Sequence, residues 1–366
     1  MDIQTNKREI AIVAITKNGI EIAKNLKNNL DVITNKKAEI FAPSKFINND
    51  DLSILYFTES VTQKMEFFFS NYNSLVLIFS LGAVIRLISP YLKDKKTDPA
   101  VVVIDDSAKF VISALSGHLG GANELSLLIA DILKSIPVIT TAADVNKTIS
   151  VDLVGKRFGW VIENYENVTK VSAMMVNEEK IGVFQESGEK NWWPVDKLPK
   201  NVSFVNGIGE LLEDSFKSCL IITDKLIFNE NILKKSVIYR PKTLVVGIGL
   251  HWGTTSETIE NGIKNVLEEN HLSFKSIKLI ASLDKGKPVK GLDFFCKENG
   301  FDIQLFPKEI LGKVDVPNPS EIVGKYEGTY SVSEASSLLA SNGVLIVPKR
   351  KFPPDLTVAI SRVKND

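Results

Sequence analysis

The residues of this 366-residue chain that are best suited to chemistry lie in one short stretch, SGHLGGANE, at positions 116–124. Its glycines stand between a predicted strand and a predicted helix, where they let backbone N–H groups come close to a ligand. His118, one of three histidines in the chain, lies among them at the helix N-terminus, a position suited to proton transfer. The candidate ligand contacts here are Ser116, Gly117, Gly120, Gly121 and Asn123. The alternative is a tight strand-to-helix turn in which Asn123 caps the helix.

A second group of polar residues follows the next predicted strand, in the sequence PVITTAAD at positions 137–144. Hydroxyl and carboxylate groups at the C-terminal end of a strand lie where open α/β sheets bind ligands. Thr140, Thr141 and Asp144 are therefore candidate site residues. The alternative interpretation is a capped exit loop with no ligand.

Basic side chains are concentrated in a third region, where SLGAVIR at positions 80–86 is followed by the charged run KDKKTDP at 93–99. The first segment predicts a strand, a glycine turn and a helix, with Arg86 one turn into that helix. Arginine can pair with a carboxylate through two hydrogen bonds, so one interpretation is a basic rim for a polycarboxylate. Its candidate members are Gly82, Arg86, Lys93, Lys96 and Asp98. The alternative is a solvated loop.

Two further candidates lie near the C-terminus. The sequence GIGLHWGTTSE at positions 247–257 has the spacing G-x-G-x-x-x-G, which departs from the dinucleotide fingerprint. It predicts a generic anion site at a helix N-terminus, with Thr254 and Glu257 as a capping box. The basic run PKRK at 348–351 is predicted to follow a strand, either as a carboxylate site or as a solvated strand end. The candidate ligand contacts are Gly247, Gly249, Thr254, Lys349 and Arg350.

The elements that must position these residues alternate between short apolar strands and amphipathic helices, which predicts an α/β fold with mainly parallel sheets. A tight hairpin is predicted at 105–108. Beyond residue 148 the pattern changes: residues 149–178 are predicted to be mostly helical and residues 179–240 loop-rich. We therefore expect N-terminal and C-terminal α/β domains joined by a smaller mixed middle domain. The predicted domains are residues 1–147, 148–240 and 241–366.

Composition excludes several classes of function. Lys plus Arg total 44 and so do Asp plus Glu, and a net charge of zero argues against a nucleic-acid partner but allows a local pocket for a small acidic ligand. Two cysteines are too few for a disulfide framework or a zinc site. The longest apolar stretch, residues 75–85, is shorter than the roughly 20 residues that span a bilayer. We expect a cytoplasmic protein with no membrane association and no metal site of its own.

The segments GAVIRLISPYLKDKKTDPAVVVIDD, ISALSGHLGGANEL and PVITTAADVN together closely resemble the cobalt-precorrin-5A hydrolase family of anaerobic cobalamin (vitamin B12) biosynthesis. The C-terminal third resembles it through LVVGIG, GTTSETIE, ASLD, PNPSE, SVSEAS and VPKRK. The chain departs from the family pattern at Leu250, His251 and Trp252, and again at Lys285-Gly286. The resemblance implies a hydrolase that opens the ring A δ-lactone of cobalt-precorrin-5A and releases the C20 unit as acetaldehyde, giving cobalt-precorrin-5B.

The resemblance also implies a cobalt-containing tetrapyrrole as partner, transient contact with other enzymes of the pathway, and no cofactor, since the cobalt arrives with the substrate. We expect His118 to act as acid and base, oriented by Glu124 or Asp144, and N–H groups around Gly120 and Gly121 to stabilise the lactone oxyanion. His118 could instead be an axial cobalt ligand or a loop anchor. Two other functions remain open: a non-catalytic carrier of corrinoid intermediates, and a nucleotide-dependent oxidoreductase using residues 247–253.

Overall fold

The computed structural model describes residues 7–34, 37–47, 51–94, 97–141, 148–193, 197–319 and 331–364. The chain divides into two compact units, Met1–Leu153 and Val154–Asp366. The three domains predicted from the sequence, with boundaries after residues 147 and 240, stay a prediction. No helix within the described ranges is both long enough and apolar enough to cross a bilayer.

The first unit is a seven-stranded sheet in the order β3-β2-β1-β4-β5-β6-β7. Its strands are β1 (Arg8–Ala14), β2 (Ala38–Pro43), β3 (Ile54–Phe57), β4 (Tyr72–Ile78), β5 (Ala100–Ile104), β6 (Phe110–Leu115) and β7 (Ile136–Val138). Its helices are α1 (Lys17–Thr34), α2 (Val61–Asn71), α3 (Leu81–Ile88) and α4 (Ala122–Leu133). The strands β1 to β5 are parallel, β6 is antiparallel to β5, and β7 is parallel to β6. The last two strands therefore run opposite to the other five.

Helices cover both faces of this sheet. Along β1, Ile10 and Ile12 face the core that contains α1 and α4, whereas Ala11 and Val13 face the core that contains α2 and α3. A strand that is buried on both faces reads as a continuous apolar run, which is why β1 could be predicted from its composition. The predicted hairpin at 105–108 is confirmed, since it joins the antiparallel strands β5 and β6.

The second unit contains two five-stranded sheets, with strand orders β10-β9-β11-β12-β8 and β15-β14-β13-β17-β16. The strands of the first of these are β8 (Val161–Ile162), β9 (Ile181–Gln185), β10 (Val202–Phe204), β11 (Ser218–Ile222) and β12 (Ser236–Arg240). The other contains β13 (Leu244–Leu250), β14 (Ile277–Leu283), β15 (Asp302–Phe306), β16 (Val344–Phe352) and β17 (Leu356–Arg362). The helices are α5 (Val168–Val176), α6 (Glu230–Leu233), α7 (Ser256–Glu269), α8 (Lys290–Asn299), α9 (Lys308–Leu311) and α10 (Val332–Ser341). The fold class is α/β with mainly parallel sheets, as predicted.

The prediction for residues 149–178 is wrong, because only α5 is an α-helix in this range. Gly155 and Gly159 have φ angles of 71° and 74°, and this left-handed conformation interrupts a helix. A Cβ on Gly155 would also lie 2.0 Å from the Trp160 ring. The segment 179–240 is not merely loop-rich, since it supplies four of the five strands of its sheet.

A buried ion pair joins the two sheets of the second unit. The Asp224 carboxylate is fully buried and accepts two hydrogen bonds of 2.8 Å from the Arg362 guanidinium, at the end of β17. It also accepts the Thr243 hydroxyl at 2.8 Å. A buried carboxylate is stable only when it is paired. This contact therefore fixes the start of β13 and the end of β17 against the sheet that contains β11 and β12.

Candidate functional site

The loop that carries His118 lies at one edge of the first sheet, where edge here means one set of strand ends and not an outer strand. It follows β6, whose end is beside the beginning of β5 because the two strands are antiparallel. The exit of β7, which leads to Thr140 and Thr141, lies at the same edge because β7 is parallel to β6. The sheet therefore brings the SGHLGGAN loop and the threonine pair, two separate candidates of the sequence analysis, together.

Backbone hydrogen bonds close the loop into a compact turn. Ala122 N–H donates to the Ser116 carbonyl at 3.2 Å, and Asn123 N–H donates to the Gly117 carbonyl at 2.9 Å. Helix α4 begins at Ala122, so its first two amides are the ones that bond back into the loop. Gly121, with a φ of 85°, is the residue before the helix.

Two of the glycines are required by close packing inside the loop. A Cβ on Gly120 would lie 2.5 Å from the Ser116 Cβ and 2.7 Å from its carbonyl oxygen. On Gly117 it would lie 2.6 Å from the Asn123 amide oxygen. The glycines therefore allow the loop to fold tightly on itself, which presents His118 at its surface.

Asn123 connects this loop to the neighbouring strands and is not the helix cap that the sequence suggested. Its side chain is buried, accepts the Ser113 hydroxyl at 2.6 Å and donates to the Thr141 hydroxyl at 3.0 Å. The amide thus ties β6 and the exit of β7 to the turn that holds His118. Thr140, next to Thr141, is exposed.

His118 faces a cavity of about 430 Å³. The cavity is lined by Gly117, His118, Asn123, Glu124, Leu127, Ile139 and Leu153. Leu127, Ile139 and Leu153 supply an apolar wall, and the imidazole and the Glu124 carboxylate supply the groups that can exchange a proton. The cavity has the character of a small-molecule site, which is mostly apolar with a few convergent polar groups.

Asp152 is the carboxylate that lies beside the histidine. Its Oδ1 is 3.6 Å from His118 Nδ1, and both side chains are only 14% exposed. The sequence prediction named Glu124 or Asp144 for this role, but Glu124 is exposed and Asp144 lies outside the described residues. Asp152 was missed because nothing in its local sequence, SVDL, distinguishes it from an ordinary loop aspartate.

The amides expected to stabilise an oxyanion differ from each other. Gly121 N–H donates to the His118 carbonyl at 3.1 Å, so this amide is engaged inside the loop and corrects the prediction that it faces a ligand. Gly120 is exposed, and its N–H has no hydrogen-bond partner in the part of the chain that the structure describes. Of the two, Gly120 is therefore the available donor.

Lys93 and Asp98 lie at the same edge as His118, close to the start of β5. The Ser116 hydroxyl donates to the Asp98 carbonyl at 3.1 Å. The buried Asp98 carboxylate accepts the Lys93 N–H at 3.0 and 3.1 Å, so Asp98 is engaged in holding its own loop. The Lys93 side chain is exposed. Lys96 lies outside the described residues.

The structure places Gly82 and Arg86 at the opposite edge of the sheet from His118. Helix α3 follows the C-terminal end of β4, which is parallel to β5, whereas the His118 loop follows the antiparallel β6. The Arg86 guanidinium donates to the Gly82 carbonyl at 3.0 Å, so it turns back towards the start of its own helix.

The space beside two glycines of the C-terminal motif is occupied by other protein atoms. A Cβ on Gly247 would lie 1.9 Å from the Ser333 carbonyl oxygen in α10, and a Cβ on Gly249 would lie 2.5 Å from the Thr357 hydroxyl in β17. Both residues belong to β13 and make room for a helix and a strand. They do not form a loop that is open to a ligand.

The polar residues near them also have structural partners. Thr255, and not Thr254, caps α7 by accepting the Thr258 N–H at 3.2 Å. Thr254 accepts the His251 N–H and donates to the Asp355 carbonyl, each at 3.1 Å. The predicted capping box of Thr254 and Glu257 is therefore wrong, because the cap is one residue later and Thr258, not Glu257, is its partner.

Lys349 and Arg350 lie within β16 and not after a strand, which corrects the prediction. The Lys349 ammonium donates to the Asn318 carbonyl at 2.6 Å, and burial lowers the pKa of this lysine. Arg350 pairs with Glu269 at 2.9 Å on the surface. In the described ranges, no three His, Cys, Asp or Glu residues form a group that could hold a metal ion.

Comparisons with known proteins agree along the whole chain. Three family models match it: cobalamin synthesis G N-terminal at residues 63–144, cobalamin biosynthesis central region at 149–241, and cobalamin synthesis G C-terminus at 244–361. The cobalt-precorrin-5A hydrolase of Priestia megaterium is 42% identical over 99% of this chain and 97% of the relative. The enzyme of the same name from Salmonella typhimurium is 30% identical over 92% of this chain and 93% of the relative. A solved cobalamin biosynthesis protein G homolog from Sulfolobus solfataricus covers 98% of both chains at 23% identity, with a TM-score of 0.39.

Proposed function

The chain belongs to the cobalamin synthesis G family, and from this premise we propose that the cavity beside His118 is where it hydrolyses cobalt-precorrin-5A. The activity itself rests on the full-length similarity to two cobalt-precorrin-5A hydrolases, one of them 42% identical. The location rests on one observation, an imidazole that faces a partly apolar cavity with a carboxylate 3.6 Å behind it. This pairing is how proteins orient a histidine for proton transfer.

The reaction needs a base twice. A base takes a proton from water as the water oxygen adds to the lactone carbonyl carbon. The base returns this proton to the C20 oxygen as the bond from that oxygen to the carbonyl carbon breaks, leaving a carboxylic acid and a C20 hydroxyl. Loss of the hydroxyl proton then lets the carbon–carbon bond between C20 and ring A break, with the electron pair passing into the conjugated macrocycle. The C20 unit leaves as acetaldehyde and the product is cobalt-precorrin-5B. Cobalt enters and leaves within the tetrapyrrole, so the proposal requires no cofactor of the protein.

His118 is the group that we propose takes these protons. Nδ1 is the ring nitrogen that lies nearest to the Asp152 carboxylate, and we propose that Nε2, on the other side of the ring, exchanges the proton with the substrate. The 3.6 Å separation is longer than a hydrogen bond, and catalytic hydrogen bonds often tighten only when the substrate is bound. Asp152 is thus a positioning residue that also stabilises the imidazolium formed during the reaction.

Gly120 supplies the proposed donor to the lactone oxyanion, since its N–H is unused within the described residues. A backbone donor fixed in a tight turn costs no reorganisation as charge develops, which is what stabilises a transition state. Lys93, exposed at the same edge, is suited to orient a substrate carboxylate. Arg86 is less well placed for this, because its guanidinium lies at the other edge of the sheet.

The rival functions predict different observations. Gly247 and Gly249 pack against protein, which removes the motif that suggested a nucleotide-dependent oxidoreductase. A carrier of corrinoid intermediates would bind the tetrapyrrole without turnover. Transient contact with other enzymes of the cobalamin pathway stays part of the proposal.

One incubation tests the proposal. The protein is mixed with cobalt-precorrin-5A, the tetrapyrrole is followed by mass spectrometry, and acetaldehyde is collected with an aldehyde trap. We expect lactone opening and one acetaldehyde per cobalt-precorrin-5B. Tight binding with no acetaldehyde would support the carrier and overturn the proposal.

The Asp152→Asn variant tests the site within the same assay. Loss of orientation should lower kcat on the order of 10²-fold. The acidic limb of the pH profile should move to lower pH, because the negative charge that stabilises the imidazolium is gone. Asp131→Asn is the matched control, since Asp131 is an exposed aspartate that pairs with Lys134 and does not line the cavity, and it should keep the profile of the parent.

A further inference from the structure

A second cavity, of about 440 Å³, lies in the second unit and is not used by the proposed reaction. Its lining comes from three consecutive loops: Trp252 follows β13, Asp284 to Gly286 follow β14, and Pro307 to Glu309 follow β15. These three strands are parallel neighbours, so their carboxyl ends meet at one edge of the sheet. In open α/β sheets that edge is where ligands bind.

Trp252 is the main apolar group in this cavity. Its side chain is 55% exposed although a tryptophan gains much from burial. The Lys285 ammonium lies 5.3 Å from the centre of its ring, so one aromatic face and one positive charge are held together.

Charged side chains of both signs line this cavity. The turn after β14 supplies one aspartate and Lys285. That aspartate, Asp284, accepts the Gly286 N–H at 2.8 Å and so closes its own turn. Lys308 reaches the cavity from the opposite loop, beside Glu309. The N–H groups of Trp252 and Gly253 have no hydrogen-bond partner among the residues described here.

We propose that this cavity binds a planar conjugated carboxylate, with the ring of the ligand against Trp252 and its carboxylates on Lys285 and Lys308. Stacking on an aromatic side chain selects flat ligands, and lysines at the rim select acidic ones. An aliphatic diacid would make only the charge contacts. The site goes beyond the proposed reaction and does not depend on it.

The test is a calorimetric titration of the full chain with naphthalenedicarboxylate, compared with adipate, which has the same charge and no ring. We expect naphthalenedicarboxylate to bind at least tenfold more tightly. Trp252→Ala should weaken its binding roughly tenfold, because the variant loses the aromatic face on which the ligand stacks. Lys285→Gln and Lys308→Gln should each weaken it up to about fivefold, the worth of an exposed ion pair.

Three matched variants separate this site from other effects. Trp252→Phe retains a ring and should bind within about threefold of the parent, which shows that the position tolerates substitution. Lys234→Gln removes an exposed lysine that pairs with Glu230 elsewhere, and it should have no effect. His118→Gln should also bind as the parent does, because that residue belongs to the proposed catalytic cavity. Equal affinity for the two diacids, or unchanged affinity in Trp252→Ala, would overturn the proposal.

Discussion

Two glycine-rich stretches looked alike in the sequence and are different in the structure. The SGHLGG stretch at 116–121 is a true loop, in which the space beside Gly117 and Gly120 is filled by the loop's own atoms. In GIGLHWG at 247–253, Gly247 and Gly249 lie within a buried strand, and the space beside them is filled by another helix and strand. The same residue type thus shapes a cavity in one region and permits close packing in the other.

The histidines of the two stretches differ in the same way. His118 is mostly buried, faces a cavity and has the Asp152 carboxylate 3.6 Å away. His251 is exposed, and its ring has no ion-pair or hydrogen-bond partner within the described ranges. A histidine becomes useful for catalysis when burial and a nearby carboxylate fix its orientation. Of these two histidines, His118 has both.

The largest expected effect comes from exchanging each histidine for glutamine. His118→Gln keeps a hydrogen-bonding amide but cannot transfer a proton at neutral pH, so kcat for cobalt-precorrin-5A should fall by about 10²–10⁴-fold. His251→Gln, the matched variant in the other stretch, should keep the activity of the parent. Acetaldehyde release measures both, and circular dichroism checks that both are folded. If His118→Gln kept the activity of the parent, another group in the cavity would have to transfer the proton, and Glu124 would be the first candidate.

Gly247→Ala should have the next largest effect, and it should act on stability. The added Cβ would lie 1.9 Å from a backbone oxygen of α10, which cannot rotate away. Overpacking of this kind costs about 3 kcal/mol. The free energy of unfolding, measured in urea, should therefore fall clearly. Gly253→Ala is the control, because nothing lies within 4 Å of the added atom, and its stability should be unchanged.

Gly120→Ala should affect both stability and catalysis. Its added Cβ would lie 2.5 Å from the Ser116 Cβ and 2.7 Å from the Ser116 carbonyl oxygen, so the loop backbone must shift and the free energy of unfolding should fall by about 1–3 kcal/mol. The shift displaces His118 and the Gly120 amide, and kcat should fall roughly tenfold. Gly209→Ala, where the added atom meets nothing, is the matched control. If the Gly120→Ala protein lost stability but retained kcat, Gly120 would serve only close packing, as Gly247 does.

The sequence was most informative where burial alone decides the structure. A strand buried on both faces must be apolar throughout, so the central strands β1, β4 and β5 could be recognised from composition. The His118 loop could be recognised because several glycines beside a histidine are unusual at a helix start. Residues 149–178 were misread because the two left-handed glycines there, Gly155 and Gly159, depend on backbone angles that the sequence pattern does not specify.

The rest of the site depends on tertiary contacts. Asp152 is 34 positions from His118, and only the folded chain brings them together. The strand direction of β6 decides at which ends of the strands the His118 loop lies, and therefore separates it from Arg86, which follows the parallel strand β4. The packing role of Gly247 was equally hidden, since it requires knowing that α10 lies across β13.

The smallest expected effect concerns the capping residue of the second stretch. Thr255 accepts the Thr258 N–H at 3.2 Å and caps α7, whereas Gly121, the residue before α4 in the first unit, provides no side-chain cap. Replacing a capping threonine by alanine costs about 1 kcal/mol, so Thr255→Ala should lower the midpoint of urea unfolding slightly. Because this region packs the sheet and does not line the His118 cavity, kcat should be unchanged. Thr255→Ser, which keeps the hydroxyl, should restore the parent stability. A Thr255→Ala protein with parent stability but reduced kcat would contradict the division of roles, because it would make the second stretch part of the catalytic machinery.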